Sequence, residues 1–216
     1  ALAAAQPNDW LPQERLAEAW ITKARLTGDF HDYAQAQAAL DRAFAQARPG
    51  TGPHLVQAGL HLSLHRLARA QTMLAAIAAY AVPLEGADAG EAAGMRGDIA
   101  FYRGAYDAAW KLYGGDGKAG APGAFRRAVF LAHTGRTDAA LAALNEVERG
   151  LGFPTAQALA NLELQRGALE LRRGDRTRAT AHFAKAERLF PGYWLSQAHG
   201  AQMLALAGRR PEAIAR

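Results

Sequence analysis

The 216-residue sequence contains no cysteine, which excludes a disulfide framework, thiol nucleophiles and thiolate metal sites together. Aromatic residues make up 8% of it and β-branched residues are sparse, so a large sheet has little to be built from. No apolar run approaches the roughly 18 residues that would cross a membrane. Lysine is scarce too: positions 23, 111, 118 and 185 hold all of it, and arginine supplies the other basic residues. The net charge of +5 comes from 25 basic against 20 acidic side chains, spread along the chain without a basic block or an aromatic platform. That pattern describes a solvated surface and argues against nucleic acid as a partner. What is plentiful is alanine, which favours helix and lets helices approach closely. The chain opens ALAAAQPND without Met. Small Ala-rich sequence surrounds export cleavage sites, so residues 1–13 are expected to be an N-terminal tail, one origin of which is the segment left after such a site; that points to a bacterial periplasm, with the cytoplasm as the alternative.

A spacing recurs. In LRRGDRTRATAHFAKAERLFP, Gly174 is followed by Ala179, Phe183, Ala186 and Pro191, at offsets of five, nine, twelve and seventeen. Gly208 stands 34 residues after Gly174, with Ala213 five further on. Gly135 leads at the same offsets to Ala140, Leu144 and Val147, and Gly104 leads to Ala109 and Tyr113. His65 takes the glycine's place before Ala70, Leu74 and Ile77, with Pro83 one place late. The first copy is loosest: after Gly28, Pro49 comes about one helical turn too far along.

Helix chemistry accounts for these offsets. Gly174 closes a helix in the left-handed conformation, and Asp175 is placed to cap the next one. Ala179 and Ala186 are small where two helices meet, Phe183 fills the gap between units, and Pro191 ends the second helix. These residues resemble the tetratricopeptide repeat, a 34-residue helix–turn–helix unit, over about residues 14–216. The resemblance implies an all-α, right-handed α-solenoid of about six stacked hairpins, the last incomplete. Its units fall at about 14–50, 51–89, 90–120, 121–153, 160–193 and 194–216. The short span from Gly104 to Gly135, with a Gly-rich loop inside it, requires a short second helix in the third unit. The sixth unit breaks off within its second helix, so a continuing chain or another surface is expected to cover that end.

Catalytic chemistry finds little support. GGDGKAG (114–120) departs from a phosphate loop, because Leu112 stands at the first Gly position and Ala119 follows Lys118. Ser63, His133 and scattered Asp residues lack a nucleophile elbow. No cofactor motif is present. His54, His61 and His65 share one helical stripe, and the i, i+4 pair could grip a metal ion. In the repeat frame, however, His61 holds a packing position and His65 a turn position.

The resemblance implies instead a concave groove, lined by the first helix of each hairpin, that holds a peptide or partner segment. Inward positions are Arg15, Glu18, Thr22 and Arg25 in the first unit and Leu55, Leu62 and Ser63 in the second. The third unit contributes Asp98, Phe101 and Tyr102, and the fourth Phe125, Val129 and His133. Leu164, Leu171 and Arg172 follow in the fifth, Leu195 and Gln202 in the sixth. Asp98, Phe101, Tyr102, Phe125, Val129, His133, Leu164 and Arg172 form the expected centre, with aromatic anchors beside an arginine. The competing reading is that the aromatics complete packing between units. A Lys/Asn clamp for a peptide carboxylate, found in some members, is missing. The expected role is therefore a non-enzymatic protein-binding scaffold, an envelope or assembly factor. Alternatives are the scaffolding part of a larger enzyme or regulator, or an RNA- or metal-binding solenoid.

Overall fold

The structure is a computed structural model that describes residues 9–115 and 121–216, without the side chains of 121 and 122. Every regular element among these residues is helical. The helices are α1 (Leu11–Thr27), α2 (Asp32–Gln46), α3 (His54–Ser63), α4 (Leu67–Ala76), α5 (Gly86–Tyr102) and α6 (Tyr106–Leu112), then α7 (Ala121–His133), α8 (Thr137–Gly150), α9 (Ala156–Arg172), α10 (Arg176–Leu189), α11 (Trp194–Leu206) and α12 (Arg210–Ala215). The chain forms two compact units, Ala1–Gly123 and Ala124–Arg216. Hairpins α1/α2, α3/α4 and α5/α6 fall in the first, and α7/α8, α9/α10 and α11/α12 in the second. Within the first unit α3 lies against α1 and α2, and α5 against α3 and α4. Within the second, α9 lies against α8 and α11 against α10. This is an all-α helical-repeat fold of the solenoid class.

The turns carry the repeat. At five of them the second residue after the first helix has positive φ: His65 (52°), Gly104 (78°), Gly135 (78°), Gly174 (86°) and Gly208 (80°). The backbone N–H of that residue donates to the carbonyl three back, and the next N–H to the carbonyl five residues before it. Gly174 to Leu171 and Asp175 to Glu170, each 3.0 Å, are one such pair. This double bond set satisfies carbonyls that the helix end would leave orphaned. His65 is the one non-glycine with positive φ among the described residues, and it stands where the spacing wants glycine. Asp175 caps α10 as expected, its Oδ1 accepting from the Arg178 N–H at 2.9 Å.

The looseness of the first copy has a simple cause. Gly28 uses the single-bond variant of the turn, donating to the Ala24 carbonyl, and α2 then starts four residues later instead of two. Buried Ala36, Leu40 and Ala43 lie three places further from Gly28 than Ala179, Phe183 and Ala186 lie from Gly174. An enlarged turn at residues 29–31 thus shifts the whole second helix. Two boundaries also move. Helix α1 begins at Leu11, with Pro12 and Gln13 buried in its first turn, so residues 11–13 belong to the fold rather than the tail. Helix α9 starts at Ala156, capped by the Thr155 hydroxyl, ahead of the expected 160. The second helix of the third hairpin is short, seven residues, as the spacing requires. Most of the GGDGKAG loop lies outside the described residues.

Within the hairpins a second regularity emerges. Gly167, seven residues before Gly174, lies so close to Phe183 that an added Cβ would sit 2.5 Å from the ring. Gly97, seven before Gly104, meets Tyr113 at the same distance. At the same two offsets the second and fourth hairpins carry Ala58 with Leu74 and Ala128 with Leu144, all buried. Glycine faces an aromatic ring and alanine faces leucine, so the summed size across the hairpin stays nearly constant. Phe183 also stacks on His199 of the next hairpin, with ring centroids 4.4 Å apart. It therefore serves both the hairpin and the seam between units.

Gly167→Ala is expected to destabilise the protein by about 1–3 kcal/mol through overpacking, despite a helix-propensity gain of up to ~1 kcal/mol. Adding Phe183→Leu should restore much of that loss. Urea unfolding of the double-mutant cycle measures the coupling, and additive effects would refute the size match.

Candidate interaction groove

The first helices of the first unit line an open cavity of about 440 Å³. Helix α1 contributes Glu18, Ile21, Thr22 and Arg25, α3 contributes Leu55, Val56 and Gly59, and α5 contributes Asp88, Glu91 and Met95. Helical spacing explains each set. Positions 18, 22 and 25, with Glu14 one turn earlier, share one face of α1, and 88, 91 and 95 share one face of α5. Gly59 keeps the middle wall low, since a Cβ there would meet the Met95 methyl at 3.3 Å. Four expected inward residues, Glu18, Thr22, Arg25 and Leu55, thus line one cavity. The apolar part is Ile21, Leu55, Val56 and Met95, and the charged part is mostly acidic.

The two arginines at this face are already engaged. Arg25 donates to the Ser63 hydroxyl at 2.8 Å, and Ser63 donates on to the Gly59 carbonyl. Arg15 pairs with Glu18 at 2.9 Å. Glu14 has no such partner among the described residues. Burial, the Glu18 charge and the Asp88 charge push its carboxyl up to about 7, against the opposing pull of Arg15.

The expected centre distributes differently. Asp98, Phe101 and Tyr102 belong to the first unit; Phe125, Val129, His133, Leu164 and Arg172 belong to the second. Asp98 accepts a hydrogen bond from the Tyr113 hydroxyl at 2.8 Å, which orients the ring that fills the Gly97 notch. Phe101 packs with Tyr102 and Tyr106, at 5.8 and 5.4 Å between centroids. Tyr102 is exposed and meets His65 edge-on at 5.1 Å, at the turn end of its hairpin. In the second unit Phe125, Val129 and His133 follow one face of α7, the first two half-buried. Arg172 donates to the Ala132 carbonyl at 3.3 Å. Burial, followed by the Arg172 charge, holds the His133 imidazole below its usual value. Leu164 is buried among packed helices.

The three histidines have separate surroundings. His54 lies between Phe44 and Tyr80, its Nδ1 3.2 Å from the Tyr80 hydroxyl. His61 is buried, with Nε2 3.2 Å from the Gln57 amide nitrogen. Gln57 and Gln37 exchange two amide hydrogen bonds, and Gln37 donates on to Asp41. Every amide proton in that chain is spent, so His61 Nε2 accepts and Nδ1 carries the hydrogen.

Sequence reasoning missed a buried charge cluster in the second unit. Glu163 is 2% exposed. It accepts from Arg166 at 2.7 Å, His182 at 2.7 Å and Lys185 at 3.0 Å, and Arg166 reaches on to Asn145 and Glu148. Burial alone would push the Glu163 carboxyl up. Hydrogen bonds from His182, Lys185 and Arg166, with the Lys185 charge, outweigh it and hold the carboxyl below its ordinary value. The signal available was Glu163/Arg166 on α9 against His182/Lys185 on α10, each at i, i+3.

No family model matches the chain, and no curated protein matches it. Solved structures do. The APC/C hetero-tetramer Cut9-Hcn1 aligns over 89% of this chain and 36% of its own, at 20% identity and a TM-score of 0.55. The fold is tetratricopeptide-like. The C-terminal part of a TPR repeat-containing protein from Cytophaga hutchinsonii aligns over 93% of this chain and 72% of its own, at 12% identity and a TM-score of 0.51. A tetratricopeptide-like frame makes α1, α3 and α5 the first helices of their hairpins, the ones that bound the acidic cavity. No helix among the described residues is long and apolar enough to cross a membrane.

Two outcomes are expected from these carboxyls, with opposite signs. The Glu14 carboxyl is raised when folded, so its cost grows as pH rises from about 4.5 to about 7 and is fully present above that. Glu14→Gln should raise the melting temperature at pH 8 and give no gain at pH 4. Glu163 is depressed when folded, so its contribution is present above pH ~4.5 and is lost in stronger acid. Glu163→Gln should cost about 3–5 kcal/mol at pH 7, the scale for a buried pair losing one partner, with the deficit shrinking in acid. Thermal unfolding from pH 3 to 8 measures both.

Proposed function

We propose that the protein is a non-enzymatic scaffold that holds a segment of another protein against its first helices. The observation that carries this reading is the cavity lined entirely by α1, α3 and α5, half apolar and half charged. Such a surface offers area for an anchor side chain and polar groups for orientation. Helices packed side by side, two of their three hairpins fixed by doubly bonded turns and size-matched pairs, lose little freedom when a segment docks, which favours binding by a preformed site. The Cut9-Hcn1 likeness belongs to a hetero-tetramer, and that favours a protein as the occupant. Phe101 and Tyr102 in the first unit, and Phe125, Val129, His133 and Arg172 in the second, are further candidate contacts. Leu164, buried in the second unit, would act there only through its packing.

The test compares partners captured from native lysate by the protein and by two variants. Gly59→Met fills the cavity with a flexible side chain next to Met95 and improves helix propensity. The second variant combines Phe101→Ala, Tyr102→Ala and Phe125→Ala. Loss of the same partner from Gly59→Met, with circular dichroism unchanged, is the expected result. Retention of every partner by both folded variants would overturn the groove.

A further inference from the structure

The first unit and the second differ in charge. Residues 1–123 hold twelve acidic and eleven basic side chains, and 124–216 hold eight and fourteen. All of the chain's positive excess thus lies outside the unit that contains the cavity. Inside that unit the acids are not evenly placed. Glu14 and Glu18 stand on α1 and Asp88 on α5, close enough for each carboxylate to act on Glu14. Among the described residues the Asp88 carboxylate has no hydrogen bond or ion pair; Arg15 is paired with Glu18, and Arg25, hydrogen-bonded to the uncharged Ser63 hydroxyl, keeps its charge, so Glu18, Asp88 and Glu91 outnumber Arg25 on the lining. A concave surface with low-dielectric walls concentrates such a field.

We propose that this groove selects a cationic extended segment of a partner protein. An apolar side chain would sit against Leu55, Val56 and Met95, with lysine or arginine on either side facing Glu18 and Asp88. The inference rests on the groove being the partner site. Two features choose this occupant over others. Among the described residues no three carboxylates or imidazoles converge as a metal ion needs, so the charge is dispersed and suits spaced cationic groups. The apolar wall formed by Ile21, Leu55, Val56 and Met95 would gain nothing from a small polyamine, whereas a peptide carries both chemistries. The Glu18 and Asp88 charges, which add to burial in raising the Glu14 carboxyl, are offset when a cation arrives.

The probe is a fluorescein-labelled nine-residue peptide with a central leucine, two lysines on each side and glycine and serine elsewhere. Counterparts replace lysine by glutamate, or leucine by serine. Anisotropy should report binding of the parent peptide to the whole chain. Affinity should fall at least about tenfold between low and 0.5 M salt, where the Debye length drops to a few ångströms. The glutamate peptide should not bind, the serine peptide should bind at least about fivefold more weakly, and Glu18→Gln with Asp88→Asn should weaken the parent at least about tenfold. Glu187→Gln in the second unit serves as the charge control and should change nothing.

Equal binding of the lysine and glutamate peptides, or no effect of the Glu18/Asp88 variant, overturns the cationic assignment. If Gly59→Met still removes the captured lysate partner in that case, the groove stands and only its charge preference fails. If Gly59→Met leaves capture unchanged, the groove reading itself has failed.

Discussion

The structure depends on how closely the two helices of a hairpin can approach. An Ala-rich chain buries little area per residue, so it must gain its stability from many tight contacts rather than a few large ones. The pair at seven residues before the turn and nine after it sets that separation. Where the first member is Gly97 or Gly167, Tyr113 or Phe183 enters the notch; where it is Ala58 or Ala128, the partner shrinks to Leu74 or Leu144. Helix spacing can then stay uniform while side chains vary. The positive-φ residue between them fixes the direction in which the second helix returns, and His65 shows the rule by breaking it. An imidazole there accepts a conformation that disfavours any Cβ by roughly 1–2 kcal/mol, and its ring packs on Tyr102.

Close packing of small residues does not by itself choose which hairpin neighbours which. Alanine surfaces slide past one another with little change in contact. Buried polar chains supply the discrimination. Asp41, Gln37, Gln57 and His61 join α2 to α3, tying the first hairpin to the second. Arg166 reaches Asn145 and Glu148 on α8 while Glu163 gathers His182 and Lys185 from α10, tying the fourth hairpin to the fifth. A slip of one turn at either seam would leave buried groups without partners, at several kcal/mol for the charged set.

The repeat was legible because its signals are local. A helix-ending glycine, a cap at Asp175 and small residues at fixed offsets act within one hairpin, so spacing alone exposes them. The three-place shift of the buried positions after Gly28 obscured the first copy only because the offsets were measured from the glycine; Ala36, Leu40 and Ala43 keep their own spacing intact. The Gly167–Phe183 match went unseen since it joins residues sixteen apart, and glycine within α9 reads as a weakness until its neighbour is known. The charge cluster at Glu163 escaped for a related reason. Glutamate on a helix is ordinarily a surface residue, and only the packing of α8, α9 and α10 puts this one inside. At the cavity, helical spacing was enough to align Glu18, Thr22 and Arg25. The acidity of the site needed the third dimension, because Asp88 lies some seventy residues from Glu18 and reaches it through the stacking of α5 on α3.

The sign of that cavity runs against the sign of the chain. A net charge of +5 would suggest anionic partners if charge were read in bulk, yet screening confines each group's influence to about 8–10 Å at physiological salt. What a segment docked there would meet is the set of charges within that radius. Around Leu55 and Val56 these are the carboxylates of α1 and α5, with the two nearby guanidiniums bound to Glu18 and Ser63. The basic excess of the second unit adds to long-range attraction of anions. Stacked first helices make such local reversals easy, because each hairpin places only a few side chains on the concave side. A change of three or four residues, spaced one turn apart, is enough to set its polarity without touching the size-matched pairs that hold the hairpins.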